Sequence, residues 1–147
     1  MKKYLIPLIL CIITGVIMAK IMFNQYDNTK TVSATPDELA YFFQVGVFSN
    51  IDNMKKETSR YDSYIYILED GKYYVYIGIT QKNKDKLKQY FDTLEYETYI
   101  KEIDINSDFA SRLKEYDAKL AESEDSEIKN INNEILKTYE EVNNAKD

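Results

Sequence analysis

Histidine and tryptophan are absent from the 147-residue chain, and its one cysteine, Cys11, lies inside an apolar run near the N-terminus. The sequence therefore offers no imidazole for general acid–base catalysis and no thiolate nucleophile after that run. It also lacks the nitrogen and sulfur ligands of a zinc site, and a single cysteine has no disulfide partner within the chain. We expect neither a metal nor another cofactor.

Basic residues are scarce after the first 23 residues. Three of the 19 lysines and arginines lie in that segment, which leaves 16 bases against 25 acids and a net charge of −9 for the rest. Phosphate contacts need clustered lysine and arginine. We therefore expect no nucleic acid partner.

Acidic residues are plentiful, but their pattern does not indicate catalysis. Glu69 and Asp70 precede Gly71, a combination typical of a tight turn, whereas Asp62 and Glu95 have the character of solvated charges. Glycoside hydrolysis would need a specific pair of carboxyl groups. We predict that the protein is not an enzyme.

The longest apolar run covers residues 4–23 and contains one charge, Lys20. Its length matches a hydrocarbon core of about 30 Å at about 1.5 Å per helical residue. The basic pair Lys2 and Lys3 favours a cytoplasmic N-terminus, so the rest of the chain is expected outside the cell membrane. A cleaved signal peptide is the alternative, although residues 17–19 make a mediocre cleavage site.

These features divide the chain into four parts. We predict a transmembrane anchor over residues 1–23, a polar linker over 24–36, a folded domain over 37–104 and a helical C-terminal extension over 105–147. The protein is therefore predicted to be a single-pass membrane protein with an extracytoplasmic domain.

Within the folded domain, strand and helix patterns alternate in the order βαββαβ. The strands are rich in aromatic and β-branched residues, and Asp70-Gly71 between two of them is a strong hairpin signal. The two halves also resemble each other, with Gly46 aligned on Gly78. A duplicated βαβ unit with a central hairpin predicts an α+β, ferredoxin-like fold, in which a four-stranded antiparallel sheet carries two helices on one face.

Successive side chains of a strand point to opposite faces, so the strand residues divide into two sets. One set is expected to pack under the helices: Val45, Val47, Ile65, Ile67, Tyr73, Val75 and Ile77. The other set is expected to point away from them: Phe42, Gln44, Gly46, Tyr64, Tyr66, Tyr74 and Tyr76. Outward aromatics in this number would form a contiguous patch, which is typical of a contact surface. Tyrosine also suits exposed strands, so a purely structural role is the alternative.

The segments "FFQVGVFSN" and "YYVYIGI", each followed by a helix, resemble the SPOR domain, a peptidoglycan-binding module of bacterial division and sporulation proteins. The resemblance covers residues 39–104. It implies binding of septal glycan strands on the helix-free face of the sheet. Gln44 matches a glutamine that the family uses there, and Ser49 at the strand end is a further candidate.

The chain also departs from the family pattern. Tyr74 and Tyr76 take the positions of two arginines in the third strand, Val47 replaces a serine, and Ile79 replaces a proline. Tyrosine can still serve as a sugar platform, because it offers an aromatic face and a hydroxyl group.

The C-terminal extension carries two apolar seams at helical spacing, separated by the polar stretch "AESEDSE". The first consists of Phe109, Leu113, Tyr116 and Leu120, and the second of Ile128, Ile131, Ile135 and Val142. They predict two helices that either pack on the domain or bind a partner. The function that the SPOR resemblance implies is docking on peptidoglycan glycan at division or sporulation septa. The alternative is a protein-interaction module that uses the tyrosine face or these helices.

Overall fold

The computed structural model describes residues 39–144, which form one four-stranded antiparallel sheet and four helices. The strands are β1 (Leu39–Phe48), β2 (Ile65–Glu69), β3 (Lys72–Thr80) and β4 (Tyr99–Asp104). The helices are α1 (Ile51–Thr58), α2 (Lys84–Thr93), α3 (Ser107–Glu122) and α4 (Asp125–Asn144). The sheet order is β2-β3-β1-β4, which is consistent with the predicted ferredoxin-like arrangement.

The predicted membrane anchor and linker lie outside the described residues. Within residues 39–144, no helix is both long and apolar enough to cross a membrane. The described hydrophobic core lies within one compact unit, Pro36–Asp147, so we expect a fragment of these residues to fold on its own.

The β2–β3 hairpin forms as its sequence predicts. Asp70 and Gly71 both have positive φ angles, 50° and 72°, which a two-residue turn of type I′ requires. Glu69 consequently pairs with Lys72, and Tyr66 pairs with Val75. This turn fixes which residues of β2 and β3 share a face.

The pairing of β1 with β3 is interrupted by two irregularities around Gln44. Phe42 pairs with Ile79, Gln44 with Tyr76, and Gly46 with Val75, so each strand has one extra residue within this stretch. A β-bulge shifts the side chains that follow it to the other face. Val47, which pairs with Tyr74, therefore lies on the same face as Phe42, and the prediction that it packs under α1 and α2 is wrong.

Helices α1 and α2 pack together on one face of the sheet. The Phe43 ring meets the Phe91 ring of α2 at 5.3 Å, and Tyr61 after α1 contacts Tyr96 after α2 at 4.9 Å. At Gly78 a side chain could not be accommodated, since a Cβ atom there would lie 2.7 Å from the Phe91 ring. We call this face the α2 side.

The two C-terminal helices, α3 and α4, form a tail hairpin on the opposite face, which we call the tail side. Tyr139 of α4 contacts Phe42 of β1 at 5.4 Å and Phe109 of α3 at 5.1 Å, all edge to face. The tail hairpin buries these apolar residues fully: Phe109, Leu113, Leu120, Ile128 and Ile135. The two predicted helices are confirmed, and they pack on the domain.

Asp117 fixes α3 to the start of α2. Its buried carboxylate accepts hydrogen bonds from the Thr80 hydroxyl, the Gln81 and Lys82 backbone amides, and the Asn83 side chain. Asn83 precedes α2 but makes no capping bond of its own, whereas Asn50 caps α1 with its side chain. Asp117 therefore orders the loop of residues 80–83 that leads into α2.

Asn132 fixes α4 to the bulge in β3. Its amide donates a 2.7 Å hydrogen bond to the carbonyl of Ile77, which lies where the β1–β3 register slips. Nearby, Asn133 accepts a hydrogen bond from Ser63, and Lys129 pairs with Asp62. The tail hairpin is thus attached by its apolar seams and by polar contacts at three places: after β3, at the bulge in β3, and before β2.

We predict that Asp117→Ala lowers the free energy of unfolding by about 3 kcal/mol, because it leaves a buried hydroxyl and two backbone amides without their acceptor. Glu115→Ala, an exposed change on the same helix, should alter it by less than about 0.5 kcal/mol. Urea unfolding of residues 36–147 measures both. Equal stability of the two variants would show that Asp117 does not fix the tail hairpin.

Candidate functional site

The middle of the predicted binding face is covered by the tail hairpin. Phe42 is 0% exposed, Tyr76 5% and Gln44 9%. The Phe42 ring lies between Tyr76, at 5.3 Å, and Tyr139 of α4, at 5.4 Å. The expectation that these three residues form an open floor is wrong, because the tail hairpin uses the same face for its own packing.

The predicted face of β2 is also wrong. Tyr66 pairs with Val75, so it lies on the α2 side, and Ile65 and Ile67 lie on the tail side. The cause is the two-residue turn, which sets Glu69 opposite Lys72 and thereby fixes the register.

Three further residues that were predicted to lie on the binding face or at its edge are found elsewhere. Ser49 is exposed at the end of β1, directly before α1, and Tyr64 precedes β2 and packs half-buried against the core. Gly46 lies on the α2 side beneath the Phe48 ring, which a Cβ atom would meet at 2.9 Å. None of these three joins Gln44 and Tyr76.

The structure does place Tyr74 on the tail side, where the tail hairpin leaves the sheet partly open. Val47, Tyr74 and Ile67 form one cross-strand row there. Tyr99 of β4 pairs with Gln44, so it lies on the same face, in the cross-strand row next to this one. We call Val47, Ile67, Tyr74 and Tyr99 the distal patch.

The distal patch is apolar, aromatic and accessible. Tyr99 is 65% exposed and Val47 43% exposed, whereas Tyr74 and Ile67, on the far side of Val47 from β4, are half-buried. Tyr99 is the residue that the sequence interpretation missed. Its alternation with Lys101 and Ile103 in the last strand was the available signal.

The distal patch lies at the end of the sheet opposite the entry of the chain. β1 begins at Leu39, which pairs with Asp104, and ends at Phe48, which pairs with Tyr73 beside the β2–β3 turn. Ten strand residues span about 30 Å. Val47 and Tyr74 therefore lie near the end of the sheet that is opposite to Leu39.

The phenol groups of Tyr76 and Tyr139, which lie where the tail hairpin covers the sheet, have raised pKa values and stay protonated at neutral pH. Burial raises the pKa of Tyr76 above its usual 10.0, and the nearby Tyr139, Glu69 and Tyr74 raise it further. Burial also raises the pKa of Tyr139. These groups are hydrogen-bond donors and neutral packing surfaces, with no tendency to act as bases.

Within residues 39–144, no group of three histidine, cysteine or acidic side chains is placed to hold a metal ion. The arrangement at the distal patch is suited to contact with a neutral, amphipathic ligand through aromatic rings, aliphatic side chains and hydroxyls.

No family model matches the chain, and neither a curated protein nor a solved structure matches it. The resemblance to SPOR domains therefore rests on the motifs in β1 and β3.

We predict that the stability of the domain falls as the pH rises above 10, because Tyr76 and Tyr139 have raised pKa values in the folded state. Their contribution is fully present below the pKa of the unfolded chain and is lost as the pH rises through the folded pKa. Tyr139→Phe removes one buried phenol and one neighbour that raises the pKa of Tyr76, so its stability should decline less steeply. Chemical unfolding at a series of alkaline pH values measures the slope, and identical slopes would contradict the prediction.

Proposed function

We propose that the protein is an extracytoplasmic, SPOR-like binding protein that docks on peptidoglycan glycan strands, at division or sporulation septa, through its distal patch. In this proposal residues 1–23 anchor it in the cell membrane. The observation that carries the proposal is the exposure of Tyr99 and Val47 beside Tyr74, on the face that the resemblance implicates.

The chemistry of the distal patch fits a sugar chain. A tyrosine ring offers its face to the C–H groups of a pyranose, and its hydroxyl can bond to the sugar's polar groups. The protein carries a net charge of −6, which disfavours a polyanion and places no penalty on an uncharged part of a glycan. Val47 supplies apolar contact between the strands of the two tyrosines, and Ile67 extends it beyond Tyr74.

The substitution of tyrosine for the family's arginines has a structural explanation. Tyr76 is part of the contact with Phe42 under the tail hairpin, where an arginine would bury a charge without a partner. Tyr74 alone of the two reaches the surface, and Tyr99 lies on the other side of Gln44. The proposed contact is therefore displaced toward the β2–β3 turn and the start of β4.

The position of the distal patch supports this proposal. Its residue Val47 lies eight residues along β1 from Leu39, a distance of about 26 Å. That separation leaves the patch clear of the point at which the preceding residues join β1.

The competing interpretation, a protein partner bound by the C-terminal helices, loses its main support. Phe109, Leu113, Leu120, Ile128 and Ile135 of the two seams are fully buried in the core. Those residues are not available to a partner while the domain is folded.

We predict that residues 36–147 pellet with purified wall sacculi, and more with sacculi from which amidase has removed the stem peptides. Combined Tyr74→Ala and Tyr99→Ala changes should weaken pelleting about tenfold or more, because each removes an aromatic contact worth about 1 kcal/mol. Ile100→Ala is the matched control, an exposed strand residue on the α2 side that lies away from the distal patch and from β2. Pelleting of wild type with neither preparation, or equal losses in all variants, would contradict the proposal.

A further inference from the structure

The two edges of the sheet differ in how they resist pairing with another strand. An edge strand exposes unpaired N–H and C=O groups, and natural proteins protect such edges with charges, proline or bulges. The β4 edge carries exposed Lys101, Glu102 and Asp104. β2 is uncharged from Ile65 to Leu68, contains no proline, and pairs with β3 without a bulge.

The side chains of the β2 edge are unusually apolar for a solvent-facing strand. Leu68 is 59% exposed and Tyr66 46% exposed, and both lie on the α2 side. Tyr66 also contacts the Tyr73 ring at 5.6 Å, which holds it against the sheet. β2 therefore presents a pre-formed apolar strip along an open edge.

The turn determines which backbone groups are free. In a two-residue hairpin the closing residues, Glu69 and Lys72, form a hydrogen-bonded pair, and such pairs alternate with non-bonded ones along the strands. Ile67 and Ile65 thus direct their backbone groups toward β3. Tyr66 and Leu68 direct theirs toward the open edge.

A second copy of the chain can satisfy these groups by symmetry. Two antiparallel β2 strands related by a two-fold axis perpendicular to the sheet overlap completely when the axis passes beside Ile67. In that register Tyr66 of each copy lies opposite Leu68 of the second copy, and Ile67 lies opposite its own equivalent. The two Tyr66–Leu68 pairs then exchange four backbone hydrogen bonds and join exposed apolar side chains on one face.

Charge selects β2 over β4 for this pairing. The same symmetry applied to the centre of β4 sets Lys101 opposite Lys101 or Glu102 opposite Glu102, and like charges directly opposite are destabilising. In the β2 register the two Glu69 side chains lie at opposite ends of the interface.

We propose that the protein forms a homodimer through β2, in which two sheets join into one eight-stranded antiparallel sheet centred on Ile67. A two-fold axis perpendicular to the sheet keeps the tail sides of both copies on the same side of that sheet. If the distal patch binds glycan as proposed above, the dimer contacts the wall at two points and gains avidity. That consequence rests on the proposed function, whereas the dimer itself does not.

Charged pairs at positions 66 and 68 test the register. In residues 36–147, Tyr66→Lys with Leu68→Lys should give the mass of one chain, because lysines then lie opposite each other. Tyr66→Lys with Leu68→Glu should keep the mass of two chains, since each lysine meets a glutamate of the second copy. Leu39→Lys with Leu94→Lys is the matched control, two exposed leucines away from β2, and should remain a dimer.

A cysteine at the symmetry axis provides a second test. The fragment contains no cysteine, so Ile67→Cys introduces the only thiol. Opposite residues of a non-bonded pair have Cα atoms about 4.5 Å apart, which a disulfide can span. Mild oxidation should cross-link this variant rapidly, and Val47→Cys, on the same face but away from the axis, should cross-link slowly.

Sedimentation equilibrium over a range of concentrations measures the mass, and non-reducing electrophoresis measures the cross-link. A wild-type fragment that stays monomeric at all concentrations would overturn the proposal. So would a dimer that the double-lysine variant retains, or equal cross-linking of the two cysteine variants. Wall binding enters none of these measurements, so failure of the dimer and failure of glycan binding are separable.

Discussion

The packing of the tail hairpin on the sheet is the constraint on which the rest of the structure depends. Phe42, Phe109 and Tyr139 meet edge to face in the centre of that contact. Asp117 holds one end of it to the start of α2, and Asn132 holds α4 to the bulge in β3. Exposing a single buried side chain of this kind costs about 1.5–3 kcal/mol. The tail hairpin buries several, so we regard it as a permanent part of the core and not as a lid.

That constraint decides where a ligand can bind. The tyrosine-rich strands do not form one open aromatic floor. Tyr76 contributes to the core, Tyr66 lies on the α2 side, and Tyr74 remains at the surface with Tyr99 and Val47. The accessible aromatic surface is thereby concentrated at the end of the sheet farthest from Leu39. Tyrosine suits these different positions, because its ring packs like a hydrophobic side chain and its hydroxyl tolerates contact with water.

The sequence predicts the elements well because their signals are local. Asp70-Gly71 specifies the hairpin, and the apolar spacing specifies α2, α3 and α4. The faces of β1 were harder to predict, since the bulges around Gln44 have no local signal and move Val47 to the tail side. The face of β2 could have been predicted, because a two-residue turn sets Tyr66 opposite Val75. The seams of the tail hairpin predicted burial but not their partner, which is set by long-range packing.

The central claim is that glycan binds the distal patch while the tail hairpin stays in place. Its most direct test is a titration of isotope-labelled residues 36–147 with soluble, peptide-free glycan strands, followed by NMR. The account predicts chemical-shift changes at Val47, Ile67, Tyr74 and Tyr99, with the amides of α3 and α4 keeping their protection from hydrogen exchange. Loss of that protection, with shifts at Phe42 and Tyr76, would contradict it, because the ligand would then displace the tail hairpin.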